Sequence, residues 1–131
     1  MTPGTAYFPI GHVTGEFIDN GRRLTLTQPF LYFDGPERVF VPAGFVTDFN
    51  SVPRGLWNFF PPWDYPEAGV THDWLYRNPG GRNRQICDRV HRRILEIEGA
   101  SRFFRGAAYS QLRMWGWKPW NGYREADRGC R

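Results

Sequence analysis

The sequence predicts an α+β fold: a small antiparallel sheet from the N-terminal third, packed by about three helices from the remainder. Three observations point to it. Short runs that alternate apolar with polar residues, separated by turn formers, fill the segment up to residue 41. Past residue 67 the apolar spacing becomes helical, most clearly at Ile86, Val90, Ile94 and Ile97. The 131 residues, 40% hydrophobic and 18% aromatic, suffice for one core, so a single domain over 1–131 is expected, strand-rich over 1–45 and helical over 53–131 with an aromatic tail.

Phe8-Pro9-Ile10-Gly11 and Val13-Thr14-Gly15-Glu16-Phe17 mix aromatics with turn formers and suit a short edge strand. His12 has no carboxylate or second ligand nearby in sequence and reads as an ordinary turn residue. Asp19-Asn20-Gly21 signals a turn, after which Arg23-Leu24-Thr25-Leu26-Thr27 alternates as a half-buried strand does. Phe30-Leu31-Tyr32-Phe33 and Arg38-Val39-Phe40-Val41, joined through Asp34-Gly35-Pro36, complete a meander of about three strands with one face available for helices to cover.

Residues 42–54 then leave the sheet as a loop in which Thr47, Asp48, Asn50 and Ser51 stand between aromatics. These side chains can cap the short helix that Pro53 opens, with Leu56, Trp57 and Phe60 turned inward. A loop that carries an Asp and a Ser to the end of a sheet is also a common way to build a site. Thr47, Ser51 and Arg54 are therefore read as a substrate or structural loop.

A helix over Glu67–Arg77 is stopped by Asn78-Pro79-Gly80-Gly81, and a second over Arg84–Glu98 by Gly99. A third, over Ser101–Trp115, carries Phe104, Ala108, Leu112 and Trp115 on one stripe, with Ser101 as its cap. Past Pro119 the tail is expected to lose regular structure, with Trp115, Trp117 and Trp120 folding back on the core or, as the alternative, forming an interaction surface.

No run of about 18 apolar residues is present to span a bilayer, and Met1-Thr2-Pro3-Gly4-Thr5 lacks the basic and apolar regions of a signal peptide. Synthesis is expected to end in the cytoplasm. Two cysteines, Cys87 and Cys130, make no disulfide framework and read as free thiols. Of the seventeen cations all but one are Arg, and nine of those fall between Arg77 and Arg113. That face suits nucleic acid, a lipid head group or an acidic protein surface, or it is simply solvated. Nucleic acid is the weakest of these readings, because no helix-turn-helix or zinc module accompanies the arginines.

The chemistry concentrates in His72-Asp73 and Asp88-Arg89-Val90-His91. His72 and Tyr76 are four apart and share a helix face, whereas Asp73 points about 100° away. An antiparallel pairing of the two helices would bring Asp88 against His72. A carboxylate on one ring nitrogen fixes the tautomer and frees the other nitrogen to take a proton from water. The bland alternatives are a buried His72 bonded to backbone, or Asp73 and Asp88 tied into an ionic network with the surrounding arginines. His91, flanked by Arg89, Arg92 and Arg93, reads as exposed.

Val41-Pro42-Ala43-Gly44-Phe45, Thr47-Asp48, Ser51-Val52-Pro53-Arg54, His72-Asp73 with Leu75-Tyr76, and Asp88 together resemble the phage and prophage family catalogued as domain of unknown function 1353. The resemblance runs from the first strands to Trp120 and implies phage origin more than a particular chemistry. More locally, His72-Asp73-Trp74-Leu75-Tyr76-Arg77-Asn78 and Cys87-Asp88-Arg89 are similar to the two catalytic helices of secreted phospholipase A2, above all its small bacterial forms. That similarity implies His72 as the base that activates water, Asp88 as the group that orients it, Tyr76 as a hydrogen-bond support for Asp88, and Asp73 as a calcium ligand. The phospholipases complete the metal site with a Gly-rich loop and cross-link the two helices. Here Pro61-Pro62-Trp63-Asp64-Tyr65-Pro66 replaces the loop, and the cysteines for the cross-link are missing. A metal would then draw on Asp48 together with Asp73, and such oxygen ligands favour Ca²⁺ or Mg²⁺.

Two functions are expected from these residues. One is a phage hydrolase acting on the bacterial envelope, lipid or cell wall, during entry or lysis. The other is a non-enzymatic virion component of the tail or tail tip, whose partners are other virion proteins and in which the same residues form a structural polar network. The hydrolase needs His72 reachable from solvent, hydrogen-bonded to Asp88, with Asp48 or Asp73 facing the same cavity. Burial of His72 against aromatic rings would sink the hydrolase reading and leave the structural role.

Overall fold

The computed structural model describes residues 12–48 and 64–129, together with the backbone of 6–7. Two compact units divide the chain, Met1–Asp48 and Phe49–Arg131. The expected short helix from Pro53 lies outside the described residues, as do Ser51 and Arg54.

Among the described residues the first unit holds six strands: β1 Ala6–Tyr7, β2 Gly15–Ile18, β3 Arg23–Leu26, β4 Phe30–Asp34, β5 Glu37–Val41 and β6 Val46–Thr47. They form two three-stranded antiparallel sheets, ordered β1-β4-β5 and β2-β3-β6. The β2–β3 hairpin turns through Asp19, Asn20 and Gly21 at φ of 52°, 58° and 81°, left-handed conformations that Asn, Asp and Gly tolerate best. In β4–β5, Phe30 faces Val41 and Tyr32 faces Val39, and all four side chains are buried, so the alternation read from sequence sets which face is inside.

Two details of the expected meander differ. β3 and β4 do not pair: the chain bends at Thr27 and Gln28, and Pro29, which has no N–H to offer a ladder, precedes β4. The partner of β3 is β6, so Val46–Thr47 is a strand and not part of a loop. Gly44, at φ 87°, turns the chain back, and its N–H donates to Leu26 O at 2.7 Å.

Among the described residues the second unit holds four helices: α1 Pro66–Arg77, α2 Arg84–Ile97, α3 Arg102–Trp115 and α4 Trp117–Gly129. Pro66 opens α1 at a position where no N–H is needed. Asn83 caps α2 by accepting from Ile86 N at 2.9 Å, and Ser101 caps α3 by accepting from Phe104 N at 3.1 Å. Gly99, at φ 88°, lets the chain leave α2 while Ala100 N donates to Leu95 O at 2.9 Å. Val90, Ile94 and Leu95 of α2 and Ala108 and Leu112 of α3 are buried, as is nearly all of α1.

The fourth helix corrects the expectation of an irregular tail. Pro119 sits in its first turn, and the first intrahelical bond runs from Trp120 N to Gly116 O at 3.1 Å, one residue past the proline. The missing donor is thus one of those every helix leaves unused at its start.

Candidate active site

Helix α1 presents His72 and Tyr76 one turn apart on the face that meets α2, and α2 returns Asp88 between them. His72 Nε2 lies 2.8 Å from Asp88 Oδ1, and Tyr76 OH donates to the same oxygen at 2.6 Å. The second carboxylate oxygen accepts from Arg113 Nη1 of α3 at 2.8 Å, with Arg84 Nη1 at 3.5 Å. Arg84 also donates to Leu112 O at 2.8 Å and to Arg113 O at 3.3 Å, which ties the start of α2 to the end of α3. Asp88 is therefore the point where three helices are fastened.

The electrostatics assign the protons. Burial, the largest single influence, pushes the Asp88 carboxyl up. The hydrogen bonds and charge of His72, then the bonds from Tyr76 and Arg113, outweigh it and hold the group below its ordinary 3.8. An ionised carboxylate only accepts, so His72 Nε2 carries the hydrogen, and when the ring holds a single proton its Nδ1 keeps the lone pair. Burial beside Asp88 pushes the Tyr76 hydroxyl well above the usual phenol range, so it stays a donor.

His72 and Asp88 have no exposed surface, and His72 Nδ1 has no hydrogen-bond partner among the described residues. The ring packs at 4.1 Å from the Tyr76 ring and 5.1 Å, edge-on, from the His91 ring, all between centroids. Trp120 of α4 closes on the far side of Tyr76 at 5.3 Å. The pairing of His72 with Asp88 is as the sequence suggested, but the solvent-reachable setting that the hydrolase reading asked for is not present in this structure.

His91 is a correction. It is 6% exposed rather than solvated, because Val90, His91, Ile94 and Leu95 share the inward side of α2 while Arg89 and Arg92 take the outward one. Burial, then the neighbouring His72, hold its pKa down at about 3, so it is neutral at physiological pH.

Asp73 is fully buried on another side of α1. Its Oδ1 accepts from Tyr123 OH at 3.3 Å, and its Oδ2 lies 3.5 Å from Arg77 Nε. A phenol and a guanidinium are poor company for a divalent cation, and no group of three or more His, Cys, Asp or Glu side chains among the described residues could hold a metal ion. The first unit contains the other residues of the expected metal and loop sets that are described: Thr47 is buried in β6, and Asp48 follows it, partly exposed. His12 is exposed, as its isolation in sequence suggested. Cys87 is buried, and its thiol donates to Leu75 O at 3.9 Å.

Sequence reasoning missed three contributors. Arg84 is four residues before Asp88 on one helix, a spacing that signals an ion pair. Arg113 reaches the site only through the packing of α3 and had no such local signal. Gly116 matters for its lack of a side chain: a Cβ there would stand 2.5 Å from Tyr76 OH and 2.4 Å from Leu112 O.

The family model described as protein of unknown function (DUF1353) matches residues 24–112, more than half of the chain. The chain belongs to the DUF1353 family. The matched segment contains His72, Tyr76, Arg84 and Asp88, and ends one residue before Arg113. No curated protein and no solved structure matches the chain. The DUF1353 name carries no activity, so the chemistry has to be argued from the residues. No helix among the described residues is long and apolar enough to cross a membrane.

Proposed function

We propose that this DUF1353 chain is a phage-encoded hydrolase of the bacterial envelope, with His72 as general base and Asp88 as the residue that orients it. One observation carries the reading: the Asp88 carboxylate lies 2.8 Å from His72 Nε2, while Nδ1 has no partner among the described residues. A buried ring nitrogen with no hydrogen bond costs on the order of 1–3 kcal/mol. A side chain kept only to fasten helices would be expected to have both nitrogens satisfied, and a catalytic role is one reason for such an exception, although His91 Nδ1 is also without a partner among the described residues.

In this scheme the packing over His72, closed in this structure, has to open before Nδ1 can take a proton from a water molecule as its oxygen attacks the carbonyl carbon of an ester or amide. The imidazolium formed is stabilised by Asp88 and returns the proton to the leaving oxygen or nitrogen as the bond to carbon breaks. Tyr76 positions Asp88. Arg113 and Arg84 keep the carboxylate ionised and also draw off part of its charge, which moderates the support it gives the imidazolium. No step is routed through a metal, because Asp73 faces Arg77 and Tyr123. The likeness of the His72 to Asn78 and Cys87 to Arg89 segments to secreted phospholipase A2 supports lipid esters as the first substrates to try.

A second reading is favoured by the complete burial of His72. In it the chain is a virion component of the tail or tail tip, and His72, Tyr76, Asp88 and Arg113 lock three helices together. Turnover on phospholipid vesicles and on peptidoglycan separates the two, with wild type, His72→Gln and Asp88→Asn compared with and without Ca²⁺. The hydrolase reading expects wild-type cleavage of one substrate and a loss of about a hundredfold or more in folded variants. Background turnover by wild type on both substrates would discard it, and detection of the chain in purified particles would then support the structural role.

A further inference from the structure

Large apolar side chains stand exposed along α3 and at its junction with α4. Phe103 is 83% exposed, Met114 58%, Trp115 50% and Trp117 49%. Phe103 and Met114 are eleven residues apart, three turns, and so lie on one side of α3 about 16 Å from each other. Ala107 and Ser110, small residues on the same side, leave that stripe shallow. Trp115 and Trp117 flank the Gly116 corner at its end.

The stretch of chain that carries these side chains has charges of one sign. Between Glu98 and Glu125 the chain has no acidic residue and five cations, Arg102, Arg105, Arg113, Lys118 and Arg124. Three of them are engaged with acids from outside that stretch: Arg105 with Glu96, Arg113 with Asp88 and Arg124 with Asp127. Arg102 and Lys118 are exposed, one beside Phe103 and the other beside Trp117, at the two ends of the stripe. Tryptophan prefers the level of lipid head groups, where its ring is apolar and its N–H stays wet, and a cation next to it adds attraction to anionic lipid.

From this we infer that the Phe103, Met114, Trp115 and Trp117 face, with Arg102 and Lys118, is a docking surface for an anionic phospholipid bilayer. The helices would lie in the interface and not span it. An acidic protein groove would match the charge as well, but two tryptophans at a helix corner with a lysine between them and the polar side fit a fluid head-group layer better. The surface goes beyond the hydrolase reading and does not depend on it, since its residues are not those of the His72 site.

Co-sedimentation of the full chain with vesicles tests it. Vesicles of ether-linked lipids are used, which contain no ester to cleave, so binding is read apart from turnover. The expected result is sedimentation with phosphatidylglycerol-containing vesicles, reduced by added salt, and little with phosphatidylcholine alone. A Trp115→Ser/Trp117→Ser variant should bind about tenfold more weakly or less, and Lys118→Glu also more weakly, with unchanged circular dichroism. Equal binding to both lipids, no binding to either, undiminished binding by the double tryptophan variant, or self-association through this face in place of vesicle binding would each overturn the inference.

Discussion

His72 and Asp88, sixteen residues apart, meet at 2.8 Å with neither side chain exposed to solvent. The pair is held from three helices, and the carboxylate is pinned at both oxygens. Asp88→Asn would leave Arg113 and Arg84 facing a neutral amide in a buried setting. Breaking a buried ion pair by removing one partner costs roughly 3–5 kcal/mol. Arg113 and Arg84 are partly exposed, so the lower end of that range is expected, read as a fall in denaturation midpoint with the denaturant slope unchanged.

Tyr76→Phe removes only the hydroxyl that donates to Asp88 Oδ1 at 2.6 Å. A hydrogen bond to a charged group contributes about 1.5–3 kcal/mol, and the ring's packing against His72 and Trp120 is retained. Chemical denaturation should show a loss in that range. A loss below about 0.5 kcal/mol would mean that Asp88 does not depend on the phenol.

Gly116→Ala tests the fit of the α3–α4 corner. The backbone there is helical, at φ −66°, so strain is not the issue. The added carbon would crowd Leu112 O and Tyr76 OH, neither of which can retreat without giving up a bond to Arg84 or Asp88. Overpacking of this kind costs typically about 1–3 kcal/mol, and the thermal midpoint should fall although alanine is the better helix former.

Two groups give opposite pH slopes. His91, held neutral down to about 3, does not protonate in the folded state while the unfolded chain does below 6.5. Stability from this source is complete above pH 6.5 and is lost as pH falls toward 3. Glu98 behaves the other way. Burial, then the hydrogen bond and charge of Glu67, raise it from 4.5 to about 8. The folded state keeps a proton that the unfolded chain releases, so stability is lost as pH rises from 4.5 toward 8. Melting temperatures against pH should flatten on the acid side in His91→Gln and on the neutral side in Glu98→Gln. A wild-type slope that survives both substitutions would assign it to other groups.

The parts of this molecule visible in its sequence are those fixed by short-range rules. The alternation in Leu24 and Leu26 and in Val39 and Val41 gave the buried faces, and Ser101 capped α3 as expected. The i, i+4 spacing of His72 and Tyr76 and the short connection between α1 and α2 brought Asp88 to them. What sequence hid depends on distant packing. Arg113 arrives only because α3 lies against α2, and β3 takes β6 as partner because Pro29 denies it β4. His91 looked exposed because charged neighbours suggest a wet face, whereas the helix period puts it with Ile94 and Leu95. Pro119 looked like a terminator because its distance from the helix start cannot be read until that start is known.

The measurement that tests the central claim most directly is the ¹⁵N–¹H correlation spectrum of the His72 ring, recorded near neutral pH in wild type and in Asp88→Asn. The account predicts a wild-type ring protonated at Nε2, toward Asp88, with Nδ1 bare and shifted as a free acceptor nitrogen, and loss of that fixed tautomer in the folded variant. A proton resident on Nδ1 in wild type, or a ring unaffected by Asp88→Asn, would contradict it.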